Sequence, residues 1–331
     1  MHDWRRALGE AVAGCAAEVR LDEPLAAHTT FRIGGPADAF VRANDRQSLV
    51  RVLQFCRANG VPWWVLGRGS NVLVSDQGLR GVVVILGGEL GGIRVQDAAG
   101  REPGKAVAVR AGAGAMLDEV ATVAEKEGLV GAEFLAGIPG TIGGGLQSNA
   151  GAFGRSLGDI VTSVAVLDRD GSALELSGSD LRREYRQPMV ERGLVAVEVT
   201  MELAEGRPEP TADIRAQRWA KHPKEPSAGS FFRNPVAADG ARTPAGRLID
   251  QCGLKGRAVG GARVSEKHAN FIINTGRARF ADVYQLAQVV KAHVEEETGI
   301  LLEEEVQYLP GCVSGPDKGQ TAHGKVQNDA T

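Results

Sequence analysis

The stretch FLAGIPGTIGGGLQSNAGAFG, residues 134–154, carries no charged side chain over 21 positions and holds seven glycines. It is long enough to span a bilayer, which takes about 20 apolar residues. Its chemistry is wrong for that role, because Pro139, Gln147, Ser148, Asn149 and the glycines break up any spanning helix. The stretch therefore reads as a buried, glycine-lined loop. Phosphates are held by backbone N–H groups that no side chain obstructs, and such loops supply them. Its densest part is Gly137-Ile138-Pro139-Gly140-Thr141-Ile142-Gly143-Gly144-Gly145. A second loop, Gly67-Arg68-Gly69-Ser70-Asn71, follows the apolar run 61–66. Two such loops, with hydroxyls and an asparagine attached, point to a phosphate-rich cofactor. Neither meets the dinucleotide fingerprint GxGxxG at all positions, and Gly112-Ala113-Gly114-Ala115-Met116-Leu117 fails at its leucine. An ordinary NAD-type nucleotide fold is a poor fit.

Outward from these loops the chain mixes strands and helices. Residues 39–43, 61–66, 82–86 and 105–110 read as strands. Leu49, Val52, Leu53 and Cys56 fall at helical spacing within 48–59, with Gly60 as the stop, and a second helix covers 117–127. A hairpin pairs 163–167 with 173–176 around Asp168-Arg169-Asp170-Gly171. Val195, Val197, Val199 and Met201 alternate with polar neighbours, as in a half-buried strand. The polar, proline-rich segment AEGRPEPT at 204–211 marks a domain boundary. Beyond it, Val283, Leu286, Ala287, Val290 and Val294 form one face of a helix over 282–298, and 300–308 reads as a closing strand. Residues from 311 onward lack apolar periodicity and read as a flexible tail.

The 331 residues suit two domains, and 44 glycines, nearly twice the usual ~7%, sit in a chain that is 43% hydrophobic. This is an ordered composition. The net charge of −3 shows no footprint for nucleic acid or an anionic membrane. Cys15, Cys56, Cys252 and Cys312 form no CxxC pair, which favours a reducing cytoplasm over a disulfide framework or a zinc ribbon. The opening MHDWRRALGE has no apolar signal core. The six histidines make no metal-ligand spacing, so no metal is expected. Gly154-Arg155-Ser156-Leu157-Gly158 matches the serine-hydrolase elbow, but it lacks the strand before and the helix after that an elbow needs.

The most concentrated segment is Pro226-Ser227-Ala228-Gly229-Ser230-Phe231-Phe232-Arg233-Asn234-Pro235. It either anchors two phenylalanines in a core or carries chemistry through its serine, arginine and amide. On the closing strand Glu303, Glu305 and Gln307 share a face, either toward solvent or lining a cleft. Arg186, after Tyr185, reads alone as a surface arginine.

Taken together these segments resemble the UDP-N-acetylenolpyruvoylglucosamine reductase family of bacterial cell-wall synthesis. The resemblance runs from about Thr29 to Leu309. It is carried by Thr30-Phe31-Arg32-Ile33-Gly34-Gly35-Pro36-Ala37-Asp38, the loop ending Gly69-Ser70-Asn71, EFLAGIPGTIGG with Asn149-Ala150-Gly151, residues 226–235, GLKGRAVGGARVSEKHANFIIN from Gly253, and Glu305-Val306. The resemblance implies an α+β protein. An N-terminal FAD-binding domain of the vanillyl-alcohol-oxidase (PCMH) type, with two subdomains, covers 1–204, a smaller α+β domain for the UDP-sugar covers 205–310, and 311–331 is the tail. It implies noncovalent FAD held by Arg32, Ile33, Gly67, Gly69, Ser70, Asn71, Gly137, Ile138, Pro139, Gly140, Thr141, Gly143, Gly144 and Asn149. In the family NADPH reduces the flavin and leaves, and the reduced flavin then passes hydride to the terminal CH2 of UDP-N-acetylglucosamine enolpyruvate. The product is UDP-N-acetylmuramate, which ties the family to peptidoglycan synthesis, cell shape and cell division.

By the same resemblance Ser230 is the proton donor, and Arg186 and Glu305 face the enolpyruvyl carboxylate, where negative charge accumulates as hydride adds. Glu305 acts there only if protonated or through a water, and a desolvated cleft shifts its pKa in the required direction. Gly229 lets the loop approach closely, and Arg233 and Asn234 contact the diphosphate. The chain departs from the family pattern at Arg68, where glycine is common, at Gln187-Pro188, where serine commonly stands two residues past the arginine, and at His222-Pro223, usually Gln-Pro. The tyrosine-bearing loop insertion is absent, as in the shorter subgroup. The expected protein is a cytoplasmic monomer. Two other readings stay open: a related flavin oxidase on another small substrate, and a non-catalytic UDP-sugar-binding regulator, which loss of Ser230, Arg186 or Glu305 would have favoured.

Overall fold

Two main β-sheets organise the N-terminal two-thirds of the protein, and the alternation of Val195, Val197, Val199 and Met201 belongs to the strand that centres the larger one. The computed structural model describes residues 4–97, 106–191, 193–236 and 242–310. In it the strand Val195–Glu205 buries every second side chain as far as Leu203. It lies between Val161–Leu167 and Val107–Gly112 in an antiparallel sheet whose edges are Ala173–Ser177 and Ile93–Val95, and Leu129–Val130 pairs with its last residues. The other sheet has four strands in the order Ala17–Pro24, Pro36–Ala43, Leu79–Leu86, Trp63–Val65, with the first pair antiparallel and the rest parallel.

The helix Arg46–Asn59 covers the four-stranded sheet for readable reasons. Asp45 accepts from the Ser48 amide at its start, and Gly60 ends it at φ +63°, a left-handed conformation. Leu49, Val52, Leu53 and Cys56 are buried as their spacing predicts, each leucine or valine contributing about 1.5–3 kcal/mol of hydrophobic burial. This core also takes in Leu167, Val195 and Val197, so the two sheets share it. The glycine-rich stretch departs from expectation in one place. It contains the short helix Ile142–Leu146, whose cap is the Thr141 hydroxyl accepting from the Gly144 amide. Three glycines are poor helix formers, but the amides of Ile142 and Gly143 are already fixed by the carbonyls of Ala115 and Ala113, so tertiary contacts override propensity.

The C-terminal part holds the helices Thr211–Lys221, Ala245–Gln251 and Phe280–Thr298 and an antiparallel sheet of Ala258–Val259, Ala262–Val264 and Ile272–Asn274. Val283, Leu286, Ala287, Val290 and Val294 of the long helix are buried against Phe231 and Phe232. Phe31, Ile33 and Leu73 from the first part of the chain complete that core.

The expected closing strand over 300–308 is shorter. Only Gln307–Leu309 is a strand, and it pairs in parallel with Val72–Val74, in the register Gln307 to Val72. Upstream, residues 303–305 exchange backbone hydrogen bonds with 231–233: Arg233 N donates to Glu303 O at 2.9 Å and Glu305 N to Phe231 O at 2.8 Å. A segment that changes partners midway cannot keep one strand geometry. The apolar side chains nevertheless hold their places, with Leu302 and Val306 buried. The tail from 311 lies outside the described residues.

Candidate active site

The register of that last strand assembles the site. Because Gln307 lies beside Val72, Glu305 is carried alongside the loop 67–71 that precedes Val72. The Asn71 side chain donates to Glu305 O at 3.2 Å, and Gln307 N donates to Asn71 O at 3.0 Å. The same loop is stapled to the serine-bearing segment. Thr30 Oγ1 lies 2.7 Å from Ser227 O and 3.3 Å from Gly69 O, and Thr30 N also donates to Gly69 O.

The two glycine loops abut. A Cβ on Gly67 would overlap Thr141 Oγ1, and one on Gly140 would come within 3.3 Å of Ser70 Oγ. Among the described residues, the backbone N–H groups of Gly67, Arg68, Gly69, Ser70 and Asn71, and those of Gly140 and Thr141 opposite, have no protein acceptor. Gly69, Gly140 and Thr141 are buried, and buried amides are nearly always paired, so unpaired donors on two abutting loops suit an anion. Other residues expected at the cofactor are engaged elsewhere. The amides of Gly137, Gly143 and Gly144 already donate to Asp118 Oδ1, Ala113 O and Thr141 Oγ1. Ile138 packs on the sheet core and Pro139 is exposed. The Ile33 side chain is committed to the C-terminal core, and Arg32 beside it is exposed at φ +56°.

Of the two readings of the segment 226–235, the structure bears out the anchoring one. Phe231 and Phe232 are core residues, and this anchoring fixes Ser230. Asn270 completes the hold: its carbonyl accepts from Phe231 N at 2.7 Å, its Oδ1 from Phe232 N at 2.9 Å, and its Nδ2 donates to Phe232 O at 2.8 Å. Gly229 stands at φ +75°, which a side chain would strain, while the space around it is open. Ser230 then lines a cavity of about 530 Å³ with Asn234, Arg247, Lys255, Lys267 and His268. Asn234 Oδ1 accepts from the amide of Ala245.

Arg186 and Glu305, 119 positions apart in sequence, form a pair with Nε 3.1 Å from Oε1 and side chains 21% and 12% exposed. Glu303, two residues away, is 75% exposed, so the acidic face of the closing segment splits between cleft and solvent. Burial pushes the Glu305 carboxyl above its usual range, with Arg186 and Arg233 pulling the other way. Arg186 Nε is within ion-pair distance but outside hydrogen-bond geometry, and it is one of three buried guanidinium nitrogens here without a hydrogen bond, the others being Arg218 Nη2 and Arg233 Nε. A buried unsatisfied donor costs about 1–3 kcal/mol, more for a charged group, so the cluster is prepared for an anionic ligand. Arg218 escaped the sequence reading. It sits on Thr211–Lys221, donates to Ala136 O at 3.3 Å, and is close enough to Arg186 that burial and that second charge both lower its pKa.

Comparison with known proteins settles the family. The UDP-N-acetylenolpyruvoylglucosamine reductase of Clostridioides difficile (strain 630) is 37% identical over 298 residues, covering 88% of this chain and 93% of that protein. That of Moorella thermoacetica is 42% identical over 307 residues, covering 90% and 96%. The chain belongs to the UDP-N-acetylenolpyruvoylglucosamine reductase family. A family model described as the C-terminal domain of this reductase matches residues 221–309, and one described as an FAD binding domain matches residues 37–177. The crystal structure of the Thermus caldophilus reductase (MurB) superposes with a TM-score of 0.70 at 35% identity, covering 89% of this chain and 99% of that one.

The α+β architecture, with an FAD-binding part followed by the reductase family's C-terminal part, is as the resemblance implied. Of the three readings left open by the sequence, these relatives favour the reductase over an oxidase or a regulator. The residues fit the cofactor: unpaired amides on the two glycine loops suit a diphosphate, and the side chains these glycines lack let the loops abut. Among the described residues no helix is long and apolar enough to cross a membrane, and no group of His, Cys, Asp and Glu could hold a metal ion.

Proposed function

We propose that the protein reduces UDP-N-acetylglucosamine enolpyruvate to UDP-N-acetylmuramate, using NADPH and noncovalent FAD. What supports this reading is the backbone contact that sets Glu305, paired with Arg186, beside the segment carrying Ser230. Glu305 N bonds to Phe231 O, the residue after Ser230, while Glu305 Oε1 meets Arg186 Nε. The cofactor diphosphate is held by the amides of residues 67–71, 140 and 141. The substrate diphosphate takes the cavity beside Ser230, reached by Asn234 and Arg233. The division at 204 and 205 belongs to the same reading, with Phe31, Ile33 and Leu73 lent to the substrate side. So does work as a cytoplasmic monomer, a compartment in keeping with the unpaired Cys15, Cys56 and Cys252.

When bound, the flavin supplies the hydride that adds to the terminal CH2 of the enolpyruvyl group. Arg186 orients the neighbouring carboxylate and stabilises the charge that develops on it. Burial raises the Glu305 pKa, and when protonated Glu305 donates toward that carboxylate. The Ser230 hydroxyl is a weak acid, yet the carbon it faces carries carbanion character and is basic enough to take its proton.

The test is isotopic. With NADPH carrying deuterium at the transferred position, label belongs in the new methyl group of the lactyl product. In deuterated solvent with ordinary NADPH, label belongs on the adjacent carbon. Absence of solvent label from the adjacent carbon would remove the assignment, as would purified protein that releases no flavin on denaturation.

A further inference from the structure

The segment that presents Arg186 has no helix or strand of its own. Residues 182–185 and Gln187 are exposed, and Arg186, half-buried among them, sits at φ +55°. Such a backbone persists only where its surroundings fix it. The fixing comes from the end of the glycine-rich stretch. Asn149, 4% exposed and itself at φ +42°, donates through Nδ2 to Arg183 O at 2.9 Å and to Glu184 O at 3.3 Å. Its Oδ1 accepts from Gly158 N at 2.8 Å. Three residues before it, Leu146 O accepts from Met189 N at 2.8 Å, closing the other side of the arginine-bearing turn.

A carboxamide has two N–H donors and one carbonyl oxygen. Both donors of Asn149 and its oxygen are taken by protein, which leaves the side chain little to offer a cofactor. We infer that Asn149 is a positioning residue: its side chain holds the 183–186 turn so that the Arg186 guanidinium meets Glu305. This rests on the role proposed above for Arg186. The other half of the pair is held in a parallel way, because the Asn71 amide grips Glu305 O. Each cofactor loop thus carries one member of the Arg186–Glu305 pair.

The test uses the FAD-loaded full chain with Asn149→Asp and Asn149→Gly. Both residues tolerate the left-handed backbone, and each removes the two donated hydrogen bonds. Reduction of the flavin by NADPH should stay within about twofold, the scatter of an independent site. Re-oxidation by the enolpyruvyl sugar should slow about 100-fold, as for a misplaced catalytic group. In an Arg186→Ala background the same substitutions should add no further loss, since the residue they position is gone. Amide hydrogen exchange over 183–187 should accelerate while exchange elsewhere is unchanged.

Losses that multiply in the Arg186→Ala background would overturn the inference. So would flavin reduction or FAD retention falling as far as re-oxidation, which would make Asn149 a cofactor ligand. Unchanged exchange over 183–187 in both variants would overturn it without any turnover being measured. Failure of the proposed function looks different: wild-type reduced flavin would not be re-oxidised by the sugar, and the exchange experiment would still decide the role of Asn149.

Discussion

Replacing Arg186 with methionine keeps most of the aliphatic stem and removes the guanidinium. The group removed stands 3.1 Å from Glu305 Oε1, with the two side chains 21% and 12% exposed, so water cannot readily take over its work. Loss of one aimed donor in such a site costs about 2.7–4 kcal/mol of transition-state stabilisation, a slowing of about 100- to 1,000-fold. The loss should fall on re-oxidation of the flavin by the enolpyruvyl sugar and spare reduction by NADPH. A second effect has a definite sign. Arg186 is the larger of two charges that lower the Glu305 pKa against its burial. Without it the carboxyl rises further above 4.5. The protonated form then survives to higher pH, and the alkaline limb of the second half-reaction moves up. Stability follows the same sign: a raised carboxyl pKa favours the fold fully below the unfolded value and loses that contribution as pH rises through the folded one. The assay is anaerobic stopped-flow, each half-reaction followed by flavin absorbance across a pH series. Equal slowing of both half-reactions, or an alkaline limb that stays put, would refute the role of Arg186.

Ser230→Ala should leave flavin reduction by NADPH intact and slow re-oxidation by about 100-fold or more, the scale of a lost general acid. Stopped-flow traces slowed in both phases would contradict this. Gly67→Ala should force the two glycine loops apart at Thr141, an overpacking cost of about 1–3 kcal/mol that fluorescence titration would read as roughly 5- to 160-fold weaker FAD binding. Unchanged affinity would show that the loops do not share the cofactor. His222 is pushed down to about 4 by burial and by Arg218, so it stabilises the fold above its ordinary value of 6.5 and loses that contribution as pH falls through 4. Thermal melts of His222→Gln should therefore fall less steeply with acidification over that interval than the parent, and identical slopes would count against it.

Where side chains repeat with one partner, the sequence was readable. Leu49, Val52, Leu53 and Cys56 state a helix, and the alternation from Val195 states a strand, because each pattern answers to a single face. Residues 300–309 defeated the same logic, since two different partners share them and the switch leaves no mark on composition. Ile142–Leu146 was hidden for the opposite reason, its helix being imposed by neighbouring carbonyls on residues with little propensity for it. Arg186 and Glu305 were legible only through motif order. Nothing in Tyr185-Arg186-Gln187 tells a buried guanidinium from a solvated one. Arg218 was less visible still, because Thr211–Lys221 buries only Thr211 and Ile214 and so shows almost no apolar stripe. That the glycine loops are buried and close-packed was legible, while which of their amides remain unpaired depends on contacts such as Asp118 to Gly137.

The pairing of Gln307–Leu309 with Val72–Val74 has a consequence for how the molecule is made. Among the described residues Val72–Val74 has no other strand partner, so its edge stays open while more than two hundred further residues are synthesised. Contacts so distant in sequence form late and slowly. A ribosome that stalls before residue 307 would therefore release a chain with both sheets largely built and the Glu305 side of the cleft missing. Such a product would be inactive, with an exposed, aggregation-prone strand edge.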